Sequence, residues 1–271
     1  YCGIKQSSHI NVILTIIGVG GLLAIIAAGF KNISAINLLD MPHGFTGVLR
    51  STALIFFAYM GFENVARLTE ETKNPRVTIP RAIILSIVIS SIIYILVALA
   101  AVAIVPWQDL AAAEAPMAVV AQNVWGSGAF ILLALIALVS TAGTALMEIV
   151  TASRFVYGMA GEKALPKAFA QIDAKTCTPY RAIELLLICS VVFIFFRNLE
   201  FVASVATTCL FIPFAAINLA VIVLRYKEAK MKRLFVVPGA LGKVPVLAVV
   251  GVLVSLIMLF FSVENVVQSL I

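Results

Sequence analysis

Charge is scarce in this chain of 271 residues. Lys, Arg, Asp and Glu make up 12% of it, about half of the roughly 25% typical of a soluble domain. So few charges cannot cover a water-soluble fold, and 62% hydrophobic residues exceed what a soluble core of this size needs. A soluble enzyme, a nucleic-acid-binding domain and a disordered chain are excluded on that ground. Histidine is limited to His9 and His43, and cysteine to Cys2, Cys177, Cys189 and Cys209. The same composition excludes a small disulfide scaffold, and with no CxxC pair and no Cys/His ligand spacing no metal site is visible. The cysteines read as apolar filler. The histidines lie far from each other and from any acidic cluster. No nucleophile–base pair is visible, which argues against an intramembrane protease or acyltransferase. No enzymatic activity and no cofactor is expected. A signal-peptide pattern is also missing after Tyr1.

What the chain has instead is lipid-compatible length. Seven apolar runs lie at about 10–30, 47–65, 82–105, 128–156, 182–196, 201–224 and 244–263. Each meets or approaches the roughly 20 residues that cross a bilayer. The fifth is the shortest and must borrow interfacial residues or thin the bilayer. Leu, Ile, Ala and Gly dominate without strand-like alternation, so helices are expected rather than a barrel. The expected fold is all-α, a polytopic membrane protein forming one transmembrane domain over residues 1–271. Val266 to Ile271 look like a further apolar segment cut short, so the chain is read as a piece of a longer protein.

Seven alternating spans divide the loops between two sides. All but three of the 19 Lys and Arg residues fall on one side; Lys31, Arg50 and Arg197 fall on the other. This bias puts the chain start in the cytoplasm and the end of the seventh span outside. It also accounts for the net charge of +6 without a nucleic-acid partner. Asn74–Pro75 stops the second span, Pro80 suits the first turn of the third helix, and Pro106–Trp107 ends the third span. The loop from Trp107 to Trp125 is alanine-rich and is expected to hold a short interfacial helix. The loop from Gly161 to Arg181 is punctuated by Pro166 and Pro179. Either loop reads as a connector or as a gating lid.

Two features carry chemistry. In the second span, Gly61 lies inside an apolar helix with Glu63 two positions on. If the helix breaks there, its first half ends near mid-membrane at the negative end of its dipole, where backbone carbonyls attract a cation such as an ammonium group. The alternative is a packing glycine followed by an interfacial glutamate. Glu148 lies deep in the fourth span, where a carboxylate costs roughly 2.5–3.5 kcal/mol on insertion scales. It faces a cavity and contacts substrate or protons, or it is a protonated acid bonded to a neighbouring helix. Arg50, near the outer end of its span, reads as a snorkelling interface anchor. Gly18, Gly20 and Gly21 lie inside an apolar helix with no strand before them and read as packing glycines, not a phosphate loop.

The run Phe56-Phe57-Ala58-Tyr59-Met60-Gly61-Phe62-Glu63, followed by Leu68-Thr69-Glu70-Glu71-Thr72-Lys73-Asn74-Pro75 and Ile79-Pro80-Arg81-Ala82, resembles the signature of amino acid permeases of the amino acid–polyamine–organocation superfamily. Ser153-Arg154, Tyr157, Met159-Ala160, Leu165-Pro166, Phe169-Ala170, Lys175 and Thr178-Pro179 form a second such block. Asn218-Leu219-Ala220-Val221 with Leu224-Arg225-Tyr226 forms a third. The resemblance implies a fold of two inverted five-helix repeats. The seven spans would be helices five to eleven, followed by the start of helix twelve. The bundle is therefore partial, and the helices before it in the same protein are an implied partner.

The resemblance also implies residue roles. The carbonyls around Phe57, Ala58 and Met60, at the break marked by Gly61, would receive the substrate's α-ammonium, with the Phe57 ring against the substrate. Glu63 would serve the inner gate and proton sensing. Ala206 would face the site, and Phe214 would lie beside Glu63. Glu148 would fall near a site-facing position. Ser140, Thr141 and Thr144 are possible sodium ligands, although membrane-helix hydroxyls usually bond back to their own backbone. Some proton-coupled relatives carry a lysine where this chain has the neighbourhood of Gly18, so a lysine-based proton switch is not expected. The implied activity is secondary transport of amino acids across a prokaryotic-type plasma (inner) membrane by alternating access, coupled to protons or to substrate exchange rather than to sodium. The rivals are a polyamine or organic-cation carrier of the same superfamily and a membrane amino acid sensor that does not transport. An ion channel is disfavoured, because no polar stripe lines several helices.

Overall fold

The computed structural model describes residues 4–30, 41–67, 72–173, 178–195, 198–228, 240–241 and 244–270. Leu68 to Glu71 of the first motif, Lys175 of the second, and Cys2, Cys177, Lys31 and Arg197 lie outside the described residues. The described residues are helical almost throughout, and the chain folds as a multi-pass, all-α membrane protein. Six segments among them are long and apolar enough to cross a bilayer: Val12–Gly29, Gly44–Ala66, Pro75–Ile104, Ser127–Gly161, Leu199–Lys227 and Val246–Ser269. Their faces expose large apolar side chains such as Ile89, Leu138 and Phe260. Such faces are costly in water and at ease in lipid.

The chain divides into two compact units, with the boundary inside one long helix. The first unit contains α1 (Ile4–Gly29), the later part of α4 (Pro75–Ile104), α5 (Trp107–Ala112), α6 (Pro116–Trp125), α7 (Ser127–Gly161) and α8 (Tyr180–Ile194). Its core gathers Ile25, Ala100, Ala101, Val105 and Val120, with Leu110, Met117 and Leu133 against them. α1 crosses α4 at Gly29, where an added Cβ would stand 2.5 Å from Ala100 Cβ and 2.6 Å from its Cα. Only glycine permits that approach. The alanine-rich loop holds two short helices, α5 and α6, where one was expected. α8 has 15 residues, so it falls short of the length needed to span unaided.

The second unit contains α2 (Gly44–Ile55), α3 (Asn64–Arg67), the start of α4, α9 (Leu199–Lys227), the two-residue strands β1 (Ala240–Leu241) and β2 (Val244–Pro245), and α10 (Val246–Leu270). The strands pair antiparallel, Ala240 opposite Pro245. α4 begins earlier than expected. Pro75, not Pro80, opens it, because Asn74 adopts φ +59° and its carbonyl accepts from Val77 and Thr78. Pro80 falls inside the helix, where it has no amide to give to the Arg76 carbonyl four residues back. Asn198 caps α9, its side chain accepting the Phe201 amide at 3.2 Å. α10 runs unbroken through Leu270, so Val266 onward is its last turn rather than the start of another helix.

Candidate functional site

The candidate site begins where the second helix comes apart. α2 tightens into a 3-10 turn over Phe56–Tyr59. Met60 then leaves helical space at φ −57°, ψ 136°. Gly61 follows at φ +118°, a conformation that side-chain-bearing residues rarely adopt. Around and past the break the amides reach back three residues rather than four. Met60 donates to the Phe57 carbonyl at 3.2 Å, Asn64 to Gly61 at 3.0 Å, Val65 to Phe62 at 3.3 Å and Ala66 to Glu63 at 3.1 Å. In an α-helix the Gly61 amide would pair with Phe57. Here it donates to Glu63 Oε2 at 2.8 Å. The interruption expected at Met60–Gly61 is present, and Glu63 is built into it.

This geometry leaves a helix end inside an apolar segment. The last carbonyls of α2 and its 3-10 turn lie at the negative end of a helix dipole, equivalent to about half an elementary charge for a long helix. A carbonyl has two lone pairs, so that of Phe57 can accept a second hydrogen beside the one from Met60. Phe57 is 43% exposed and Met60 37%, so both are reachable; Ala58 is exposed as well. A primary ammonium, with three donors, matches such a cluster of backbone acceptors.

Four phenyl rings bracket the break. Phe56, before it, lies 4.9 Å from Phe211 and 6.1 Å edge-on from Phe214, centroid to centroid. Phe62, after it, lies 5.8 Å from Phe214. Phe214 therefore touches the helix on both sides of its interruption. It was expected beside Glu63, and its ring contacts are with the neighbouring Phe62 and with Phe56. Phe211 and Phe214 share a face of α9 by their i, i+3 spacing. That spacing was the available signal for Phe211. Phe56 and Phe62 stood in the recognised motif without an assigned role. Between the two α9 rings lies Pro213, which sits inside the helix and has no amide to give to the Cys209 carbonyl.

Ala206, one residue before buried Thr207, is half-buried on α9. Behind it a hydroxyl cluster joins α9 to α10. Ser262 Oγ lies 2.8 Å from the Thr207 and Thr208 hydroxyls and donates to the Ser204 carbonyl at 3.0 Å. Ser204, Thr207 and Ser262 are fully buried. Nearby, Asn218 packs against Gly251 and donates to the Phe214 carbonyl at 2.9 Å. Arg50 is not the lone interface anchor expected. It forms an ion pair with Glu264 of α10, which single-helix reasoning could not supply because the partner is 214 residues away.

The remaining expected site residues stand on α7, in the other unit. Ser140, Thr144 and Glu148 are spaced i, i+4, i+8 and share a face. Thr144 Oγ1 donates to the Ser140 carbonyl at 3.1 Å, the back-bonding habit of membrane-helix hydroxyls. Ser140 Oγ lies against Gly18 of α1, 3.2 Å from where a Cβ would stand. Thr141 and Glu148 are exposed on α7.

The chain matches the amino acid permease family over residues 1–270. It is 32% identical to the cationic amino acid transporter 1 of Arabidopsis thaliana over 225 residues, covering 83% of this chain and 38% of that protein. It is 29% identical to the branched-chain amino acid permease BcaP of Bacillus subtilis over 263 residues, covering 96% of this chain and 55% of the permease. It is also 29% identical to the methylthioribose transporter of Bacillus subtilis, with 87% of this chain and 51% of that protein covered. The chain thus spans only 38–55% of the length of these curated relatives.

Proposed function

Because the chain belongs to the amino acid permease family, we propose that it forms the later helices of a secondary transporter that carries amino acids across a membrane by alternating access. The observation that supports this most directly is the interrupted helix. A broken membrane helix whose carbonyls end at mid-membrane is the recurring binding element of such carriers. In this reading the carbonyls around Phe57, Ala58 and Met60 receive the substrate's α-ammonium, and the ring of Phe57 lies against it. Glu63 links the state of the break to the inner gate, and Ala206 and Phe214 line the α9 side. The helices that precede this chain in the full protein supply the rest of the site.

Coupling to protons or to exchange is favoured over sodium and would run through Glu63 or Glu148, because no lysine lies between Ile10 and Phe30 to act as a proton switch. Glu148, a carboxylate within a membrane-spanning segment, supports a cationic substrate by charge complementarity alone. The first relative is named for cationic amino acids and the second for branched-chain ones. The plasma membrane is the proposed location.

Counterflow tests the reading. Full-length protein in proteoliposomes preloaded with unlabelled leucine or arginine is given the radiolabelled form outside. Accumulation of label is expected for at least one of them. Ligand-induced thermal stabilisation without any counterflow would favour a sensor instead. Counterflow of putrescine alone would favour the polyamine carrier.

A further inference from the structure

α10 is apolar along most of its length, yet its last turns carry Glu264, Asn265, Gln268 and Ser269. Three of these side chains converge on one residue of α2. Glu264 Oε1 pairs with Arg50 Nη2. Gln268 Oε1 accepts from Nη1 at 3.2 Å. Asn265, 7% exposed, donates Nδ2 to the Arg50 backbone carbonyl at 3.1 Å. The Arg50 Nε is buried without a partner. An arginine that served only as an interface anchor would keep its head in water. This one, with its side chain 33% exposed, gives up part of its hydration to be held by side chain and backbone at once.

The consequence lies further along the same helix. Phe56 is six residues after Arg50, about 9 Å at 1.5 Å per residue. There the ring of Phe56 meets Phe211 and Phe214 on α9. α9 is in turn joined to α10 through the Ser262, Thr207 and Thr208 hydroxyls. Arg50 thus closes a circuit running from α2 to α10, from α10 to α9, and from α9 back to the lip of the break.

We propose that Arg50, through Glu264 and Gln268, is a positioning residue for substrate binding: it fixes the first half of the broken helix at the register in which the backbone opens at Met60–Gly61. This role rests on the reading that the break receives the amino acid. Arg50 touches no substrate, so its loss weakens binding by letting α2 rotate or slide.

The test uses full-length protein in proteoliposomes, with radiolabelled leucine and arginine as probes. Arg50→Gln and Glu264→Gln are each expected to raise the half-saturation concentration about tenfold while leaving the maximal rate within about twofold. Arg50→Lys keeps the charge but loses the forked contact to Glu264 and Gln268, and is expected to fall between. The swap Arg50→Glu with Glu264→Arg is expected to restore most of the affinity, because the two side chains act as a pair. Unchanged half-saturation in both single variants, or a fall in maximal rate alone, overturns the role. If those variants do not reach the membrane, Gln268→Leu takes their place: a smaller rise supports the proposal and no change contradicts it. Wild-type protein with neither counterflow nor ligand-induced stabilisation would remove the transport reading and this role with it. Wild-type transport with unaltered variants would remove this role alone.

Discussion

Glu63 Oε2 accepts the amide hydrogen of Gly61 at 2.8 Å, two residues back along the chain. The bond replaces the one that an intact helix would have made from Gly61 to Phe57. Without an acceptor, an amide in apolar surroundings costs about 1–3 kcal/mol. Glu63→Leu is therefore expected to lower thermal stability in detergent and to cut counterflow about tenfold or more. Glu63→Gln retains an acceptor oxygen and is expected to lose less. Equal behaviour of the two variants would separate the carboxylate from the break.

Gly61→Ala isolates the backbone. An added Cβ at Gly61 meets nothing within 4 Å, so no clash opposes it. The φ of +118° does oppose it. A strained conformation of this kind costs about 1–3 kcal/mol. The variant should lose stability and transport, whereas Met60→Ala, at φ −57°, should keep the backbone path and lose only side-chain contact. Thermal unfolding with and without ligand distinguishes them.

Two glycines of α1 give opposite expectations. At Gly29 a Cβ would stand 2.5–2.8 Å from Ala100 Cβ, Cα and carbonyl oxygen, atoms that cannot yield without moving α4. Gly29→Ala is expected to cost about 1–3 kcal/mol by overpacking. At Gly20 nothing lies within 4 Å. Gly20→Ala is expected to be neutral or to stabilise the helix by up to about 1 kcal/mol. Unfolding midpoints of the two purified variants check both signs.

Ser262→Ala removes the hydroxyl that ties α10 to Thr207, Thr208 and the Ser204 carbonyl. Thr207 and Thr208 keep the Ser204 carbonyl as acceptor, at 3.0 Å and 2.8 Å. The loss should therefore stay near the roughly 0.6 kcal/mol average for such bonds in membranes. A loss several times larger would mean that the hydroxyls act as one network.

What was legible in the sequence was mostly local. Runs of apolar residues marked the long helices, Trp107–Trp125 announced extra helix, and Gly61 with Glu63 announced the interruption. Such features depend on neighbours a few positions apart. The Arg50–Glu264 pair joins residues 214 apart, and the Ser204–Ser262 bond joins residues 58 apart. No periodicity in one helix records which face of another it meets. In sequence Arg50 reads as an anchor, because a lone arginine near a span end does anchor in most settings. The start of α4 is not legible in the sequence because two prolines five residues apart both suit a first turn, and only the Asn74 backbone decides between them. The role of Phe214 was half legible: the aromatic was expected at the break, while its contact with Phe56 and Phe62 depends on how α9 packs.

Whether the opened backbone at Met60–Gly61 receives the ammonium group of an amino acid is decided by a cryo-electron microscopy structure of the full-length protein with leucine or arginine bound. Ligand density is expected at the end of α2, its nitrogen within about 3.2 Å of carbonyls among Phe57, Ala58 and Met60. An unbroken helix through residues 54–66, or ligand held elsewhere with the break empty, would contradict it.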